Sequence, residues 1–417
     1  MIGGCQLLEL YNSLTRKIEP FPCEADRHVK MYTCGPSTYQ QPHIGNYRTF
    51  LFEDVLQRYL EYLGYKVTRL ITLTDVEDKA VAQAKKENLT IEELTAKNEA
   101  VFFRDFKLLK IKKPDYPVRA SSAVDQAASL VAQLVEKGYA YWYTYKGARN
   151  VYFDPLKFRG FGKLAHLDMS NWPKKKRRFH KDTYPGTPWN RGDFIIWDGC
   201  KQYTVCYNTA IGDGRPAWNL QDAAIVTKHL GFSIDVACGG IDNMVRHHDY
   251  TLAIAEAVSG KPFCRFWLHG AHLLVDGKKM SKSVGNVYYT GDVLAKGFSG
   301  EHLRFFLTYA PYREKLNFTF ERLAEASRKL DSFRNMVKAL QEPRGGVSSH
   351  DVKELIDGIV PGFENCMNDD LGVKPAFDSL YATVAELYRM RESLGANDQK
   401  KLLNELKSID SVLQFIL

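Results

Sequence analysis

Two short motifs, far apart in the chain, carry residues suited to handling phosphates: His43-Ile44-Gly45-Asn46 and Lys279-Met280-Ser281-Lys282-Ser283. A glycine at the first turn of a helix lets a flat ring or a phosphate approach the backbone, whose N–H groups and dipole favour an anion. His43 adds a donor for a phosphoryl group that gains charge in a transition state. Lys279 and Lys282, three apart on a loop, bring positive charge that can close on a departing pyrophosphate and then release it. Each motif by itself also reads plainly, as an ordinary helix start or a solvated basic loop. Both together, in this order, point to one site for a nucleotide's phosphates.

The elements that must position these residues are legible around them. Met31 to Cys34 reads as a buried strand broken at Gly35-Pro36. Apolar residues recur at Tyr47, Leu51, Val55, Leu56, Tyr59, Leu60 and Leu63, and Gly64 marks a stop, so a helix is expected from His43. Residues 29–34 and 66–73 read as strands on either side of it, a right-handed βαβ unit. Asp75, Glu77 and Asp78 lie just past the second strand, where α/β sheets place ligands, although carboxylates favour a helix N-terminus in any case. The lysine motif follows a strand, Leu273-Leu274-Val275, and an Asp276-Gly277 turn. Residues 85–140 read as helices, and 139–200 as aromatic strands with Gly and Pro breaks. Asp235 to Asp242 should be a strand entering a glycine turn. Beyond the lysines, Leu323, Ala326, Leu330, Phe333, Val337 and Leu340 alternate by threes and fours, the seam of a helical bundle. Pro343 to Gly346 breaks it, helices follow around 351–366 and 374–394, and a shorter one reaches the terminus. Met367 to Leu371 reads as a connection without chemistry.

Further stretches accompany the two motifs: Leu10-Tyr-Asn-Ser-Leu-Thr-Arg-Lys17, Cys34-Gly-Pro36, Thr72-Leu-Thr-Asp-Val-Glu-Asp-Lys79, Asp213-Gly-Arg-Pro-Ala-Trp218, Gly239-Gly240-Ile-Asp242 and His247-His248-Asp249. Together they resemble the cysteinyl-tRNA synthetases, class I aminoacyl-tRNA synthetases, over most of residues 8–415. The resemblance implies an α/β fold: a Rossmann-like core with a parallel sheet, an inserted acceptor-binding subdomain and a C-terminal helical bundle. The expected divisions are 1–115 and 205–290 for the two halves of the core, 116–204 for the insertion, and 291–417 for the stem-contact region and bundle. It implies ATP with Mg2+ and formation of an aminoacyl-adenylate. By the same resemblance His43, Asn46, Lys279 and Lys282 are catalytic; Gly45, Gly239, Gly240, Asp242 and Lys282 hold ATP. Cys34, Thr74, Asp75, Trp218, Asp222, His247 and Thr251 map to the amino-acid pocket.

The departures fall in that pocket. The family holds a zinc ion on two cysteines, a histidine and a glutamate, and the zinc binds the substrate thiolate. Cys34 and His247 keep two of these positions, while Asp222 and Thr251 occupy the others. A site of Cys34, Asp222 and His247, with His248 as a fourth candidate, would be weaker and harder, since threonine is a poor ligand; a weak or lost zinc site is expected. In that case Cys34 is a small apolar residue and His247 a hydrogen-bonded core histidine. Asn219, Gln221, Ala237 and Cys238 also differ from the family, and Asn46 replaces the second histidine of the first motif. Asp222 suggests a pocket for a positive or hydrogen-bond-donating side chain, or a harder metal. The expectation is a ligase that adenylates cysteine or a changed amino acid and passes it to tRNA. A small amine is the competing acceptor, as in the cysteine ligase of mycothiol synthesis, and a non-catalytic tRNA- or nucleotide-binding paralog is the third reading.

Composition bounds these readings. The chain has 417 residues and a formal charge of +8, which permits a polyanionic partner without demanding one. The most basic run, Lys174-Lys-Lys-Arg-Arg178 with His180 and Lys181, could neutralise tRNA phosphates or be a solvated loop. No apolar run approaches the ~18 residues of a membrane span. Eight cysteines without a C-x-x-C pair suit a reduced, cytoplasmic setting, and a monomer is expected. The chain ends soon after the bundle, where the family continues into an anticodon-reading domain, so tRNA selection is expected to rest on the acceptor stem and the insertion.

Overall fold

The computed structural model describes residues 7–22, 27–145, 147–171, 192–200, 205–281, 284–342, 346 and 349–417. The basic run at 174–181, Lys282 and Ser283 lie outside the described residues.

A hairpin, β1 (Glu9–Asn12) and β2 (Lys17–Pro20), precedes β3 (His28–Thr33), α1 (Ile44–Tyr62) and β4 (Lys66–Leu73). Then come α2 (Asp78–Glu87), α3 (Ile91–Leu108), β5 (Tyr116–Arg119) and α4 (Val124–Glu136). β6 (Ala140–Tyr145), β7 (Ala148–Phe153), β8 (Phe194–Asp198) and β9 (Arg215–Pro216) form an antiparallel sheet in that order. α5 (Trp218–His229), β10 (Ile234–Gly240), a π-helical turn (Met244–His248), α6 (Asp249–Ser259) and β11 (Cys264–Gly270) follow. A hairpin of β12 (Leu273–Val275) and β13 (Lys278–Lys279) leads to α7 (Thr290–Ala295), α8 (Gly300–Thr308) and β14 (Leu316–Phe318). The chain closes with α9 (Phe320–Gln341), α10 (His350–Asp357), α11 (Ile359–Asn368), α12 (Val373–Arg389) and α13 (Ala396–Leu413).

The central sheet is parallel with strand order β11-β10-β3-β4-β5. From β3 the chain builds outward through β4 and β5, then returns on the other side of β3 with β10 and β11. The strand order therefore reverses between β3 and β10, and their carboxyl ends open a crevice there. α1 joins β3 to β4 and lies against β4, β10 and β11. β5 was not legible in the sequence: four residues around Pro117 show no alternation, and the region reads as helical. This strand belongs to the same sheet as β4, so the expected division at 115/116 falls at its first residue.

α1 differs from an ordinary amphipathic helix. Its apolar residues Tyr47, Leu51, Val55, Leu56, Tyr59 and Leu60 are buried as expected, but so are Arg48, Glu53, Asp54 and Gln57. Burial of charge is tolerated only where partners are supplied. Glu53 pairs with Arg69 of β4 at 2.9 Å. Asp54 pairs with Arg304 of α8 at 2.7 Å and with Arg58 at 2.9 Å. The Arg48 guanidinium donates to the carbonyls of Ala271, Leu307, Pro311 and Glu314.

In the bundle, α9 buries Leu323, Leu330, Phe333, Val337 and Leu340 of the expected seam, with Ser327 buried where Ala326 is half-buried. The expected 351–366 helix is two helices, α10 and α11, and the last helix has 18 residues, not fewer than its neighbour's 17. The connection after α11 has a structural task. Asp370 accepts from Tyr11 N at 2.9 Å, Tyr312 Oη at 2.8 Å and Arg313 Nε at 2.6 Å, tying the bundle to the first hairpin. Cys200 and Cys206 form a disulfide with Cα atoms 5.6 Å apart, a departure from the expected all-reduced set. No helix among the described residues is long and apolar enough to cross a membrane.

Candidate active site

A cavity of about 270 Å³ opens at the crevice where the strand order reverses. Its floor comes from the ends of three strands: Cys34 and Gly35 after β3, Gly240 of β10, and Gly270 of β11. One wall is the start of α1, with His43, Gly45 and Asn46. Another is formed by Trp218, Asp242 and Asn243, and a third by His272, Leu273, Lys279 and Met280. The two motifs thus meet although more than 200 residues separate them. Small residues at the strand ends leave the floor open. At Gly35 an added Cβ would stand 1.7 Å from the Thr72 carbonyl oxygen, so the chain there can pass β4 only as glycine.

The start of α1 is fixed by a reciprocal cap. Asn46 N donates to His43 Nδ1 at 3.3 Å, and His43 N donates to Asn46 Oδ1 at 3.0 Å. Accepting at Nδ1 places the neutral ring's proton on Nε2. Ile44 N donates to Tyr288 O at 2.9 Å, which anchors the segment after the lysine motif to the helix start. Lys279 stands exposed on β13 beyond a turn in which Asp276 and Gly277 both have positive φ. Asn286 holds the start of the loop by accepting from Ser281 N at 2.8 Å.

Behind the cavity lies a buried polar cluster. Asp222 Oδ2 accepts from Tyr32 Oη, from Thr72 Oγ1 at 3.2 Å and from His247 Nε2 at 2.9 Å. Burial would raise the Asp222 carboxyl, but His247, Tyr32 and Thr72 outweigh it and hold it below the usual range. Thr72 Oγ1 also accepts from Gly35 N at 3.2 Å, linking the floor to Asp222. The His247 ring stacks on Trp218 at 4.1 Å between centroids. His248 Nδ1 meets His269 Nε2 at 2.9 Å, and His269 Nδ1 meets Ser13 Oγ at 2.8 Å. Burial pushes His248 well below its ordinary value and His269 down to about 3, so both rings are neutral. Burial, then the Asp222 and Glu53 carboxylates, push the Cys34 thiol up.

The residues singled out from the sequence divide accordingly. His43, Gly45, Asn46, Gly240, Asp242, Lys279, Cys34 and Trp218 line the cavity. Asp222, His247 and Thr251 are buried behind its wall, and Gly239 packs beneath it, where a Cβ would stand 2.5 Å from the His248 ring. The Asp222 Oδ2 serves three internal donors, while its Oδ1 is buried without a hydrogen-bond partner. Thr74 bridges strands, accepting from Thr38 N at 2.9 Å, and Asp75 accepts from Ser121 N at 2.9 Å; neither lines the cavity. Lys282 falls outside the described residues. Asn243 and His272 were missed: Asn243 Nδ2 donates to Cys34 Sγ at 3.4 Å, and neither residue carries a local sequence signal.

The family's zinc can be tested against these donors. Among the described residues, Cys34, His247 and His248 offer donor atoms within 4.8 Å of one another. His247 Nδ1 and His248 Nε2 are buried without a hydrogen-bond partner, as is Thr251 Oγ1. Orphaned ring nitrogens beside a thiol are what a metal site leaves when the ion is removed, so the donors fit. Asp222, expected among the ligands, does not fall in this group, although its Oδ1 is likewise buried without a hydrogen-bond partner.

Residues 20–328 match the family model described as the tRNA synthetases class I (C) catalytic domain. The cysteine–tRNA ligase of Chlamydia pneumoniae is 36% identical over 97% of this chain and 86% of its own length. That of Solibacter usitatus is 34% identical over 98% of this chain and 87% of its own. Among solved structures, Mycobacterium tuberculosis methionyl-tRNA synthetase in complex with methionyl-adenylate aligns with a TM-score of 0.65 at 15% identity, covering 93% of this chain and 90% of that one, a likeness of fold. The chain belongs to the class I tRNA synthetase family of the cysteine–tRNA ligases.

Proposed function

We propose that the chain binds ATP, with Mg2+, and an amino acid in the cavity at the sheet's crevice, and joins them as an aminoacyl-adenylate. The substrate carboxylate attacks the α-phosphorus, the bond to the bridging oxygen breaks, and pyrophosphate leaves. A hydroxyl at the 3′ end of a tRNA then attacks the aminoacyl carbonyl, the ester forms, and AMP leaves. The observation that carries this reading is the shared cavity: His43, Gly45 and Asn46 face Asp242 and Lys279 across a gap floored by Gly240 and Gly270.

Each residue has work suited to its chemistry. His43, protonated at Nε2, donates to the α-phosphate as its charge grows. Lys279 and, from the sequence, Lys282 neutralise the departing pyrophosphate. The Asp242 carboxylate suits the ribose hydroxyls, which donate. Trp218 covers His247 and shapes the side-chain end of the cavity. A zinc ion on the donors behind that wall would supply a Lewis acid for a substrate thiolate.

Amino-acid-dependent ATP–pyrophosphate exchange, screened over the twenty amino acids, tests the reading. Exchange with cysteine, or with one other amino acid, is expected. Exchange with none of them would overturn the activity and leave a nucleotide- or tRNA-binding protein.

A further inference from the structure

We infer that the His272 imidazole binds the nucleoside end of ATP, beside Asp242, as a contact that neither phosphate motif supplies. The inference rests on the reading of the cavity as the ATP site, and deepens it by naming the residue that meets the base and ribose.

Its position comes from the sheet. Gly240 of β10 and Gly270 of β11 are register partners in a parallel pair, and Ile241 N donates to Gly270 O at 2.9 Å. Asp242 and His272 each stand two residues past that pair, so adjacent strands deliver them to the same end of the cavity, which both line. The backbone that carries His272 is pinned on both sides. Ala271 N donates to Tyr312 O at 2.8 Å, Arg48 Nε donates to Ala271 O at 3.3 Å, and Leu316 N donates to His272 O at 3.3 Å. The ring itself is half-buried and makes no hydrogen bond to any described residue, so both of its nitrogens are available to a ligand.

The charge state of the ring separates nucleoside from phosphate. Burial lowers the His272 pKa, Asp242 opposes this, and Lys279 and Lys315 add to it, so the ring stays below its ordinary value and is neutral near pH ~7. A neutral imidazole donates at one nitrogen and accepts at the other. Ionised phosphate oxygens only accept, and the cavity already offers them His43, Lys279 and the start of α1. Adenosine carries both kinds of group: its hydroxyls and amino group donate, while its ring nitrogens accept. The Asp242 carboxylate can serve only the donors. His272 supplies the missing donor for an acceptor atom of the nucleoside, on a wall with Leu273 and Met280 that is apolar enough to lie against a flat ring.

The test uses the full chain and calorimetric titration with ATP, adenosine and inorganic tripolyphosphate, none of which requires amino-acid activation. His272→Ala should weaken ATP and adenosine about 3–10-fold each, the worth of one neutral hydrogen bond, and leave tripolyphosphate within about twofold of the wild type. In ATP–pyrophosphate exchange the loss should fall on KM for ATP, with kcat and KM for the amino acid little changed, as for a contact made equally in the ground and transition states. His272→Gln, which still donates and accepts, should recover part of the adenosine affinity. Weaker tripolyphosphate with unchanged adenosine would place His272 at the phosphates and overturn the inference. Unchanged ATP and adenosine binding in His272→Ala, where the wild type binds both, would overturn it alone and leave the cavity as the ATP site. A wild-type chain that binds neither would overturn both. Circular dichroism monitors folding, and His272→Leu, closer in size, stands in with the same outcomes should His272→Ala unfold.

Discussion

At the scale of single residues, the site separates groups that face the cavity from groups that hold them. His43 and Lys279 line it, an imidazole donor suited to a phosphoryl oxygen and a cation suited to pyrophosphate. His43→Ala and Lys279→Ala should each slow ATP–pyrophosphate exchange by about 10²–10³-fold in kcat. KM for the amino acid should change little. An undiminished rate in either variant would remove that residue from the proposed chemistry. His43→Ala also deletes the cap of α1, costing about 1 kcal/mol, so its melting point should be read alongside its rate. The motif that named His43 could be read without coordinates, because a cap and its partner lie three residues apart. Nothing local marks Asn243 or His272, which enter the cavity only because β10 ends beside β3 and β11 beside β10.

At the scale of elements, α1 is held by buried charges that its apolar periodicity conceals. Asp54 accepts from Arg304, from Arg58 and, at 2.7 Å, from Lys112 N, and so joins the catalytic helix to α8 and to the segment before β5. Asp54→Asn would strand the Arg304 guanidinium in a fully buried place. The expected cost is about 3–5 kcal/mol, seen as a lower midpoint in urea unfolding. The pH dependence has a definite sign. Burial would raise the Asp54 carboxyl, but Arg304 and Arg58 outweigh it and hold it below the ordinary range. Its stabilisation is therefore complete above the unfolded carboxylate range, near pH ~4, and is lost as the pH falls through that range toward the folded value. Asp54→Asn should flatten this part of the acid unfolding curve. A variant as stable as the parent, with an unchanged acid limb, would show that the pair is incidental. α1 itself was evident from its period and its glycine stop, whereas β5 and β14 are too short for a pattern to emerge.

At the scale of the whole molecule, a formal charge of +8 and the run at Lys174 to Arg178 are the electrostatic features suited to tRNA. Binding of total tRNA should weaken linearly in log K against log salt. Replacing the five basic residues of that run by serine should reduce the slope by roughly 0.7–0.9 for each phosphate no longer neutralised. ATP–pyrophosphate exchange should be unaffected, since none of these residues belongs to the two phosphate-handling motifs. An unchanged slope would assign the run to solvent. The sequence by itself determined the parts whose causes are short-ranged: a helix started by His43-Ile44-Gly45-Asn46, the βαβ unit around it, a lysine hairpin turned by Asp276-Gly277, and a bundle seam from Leu323 to Leu340. The tertiary structure alone decided what Asp222 and His248 do. Both read from the sequence as candidate ligands, and in the fold Asp222 Oδ2 accepts from Tyr32, 190 residues away, while His248 is backed by His269, whose other nitrogen meets Ser13, 256 residues away. A carboxylate or an imidazole takes its role from the partner opposite it, and in a parallel sheet that partner is set by strand order, which no local pattern encodes.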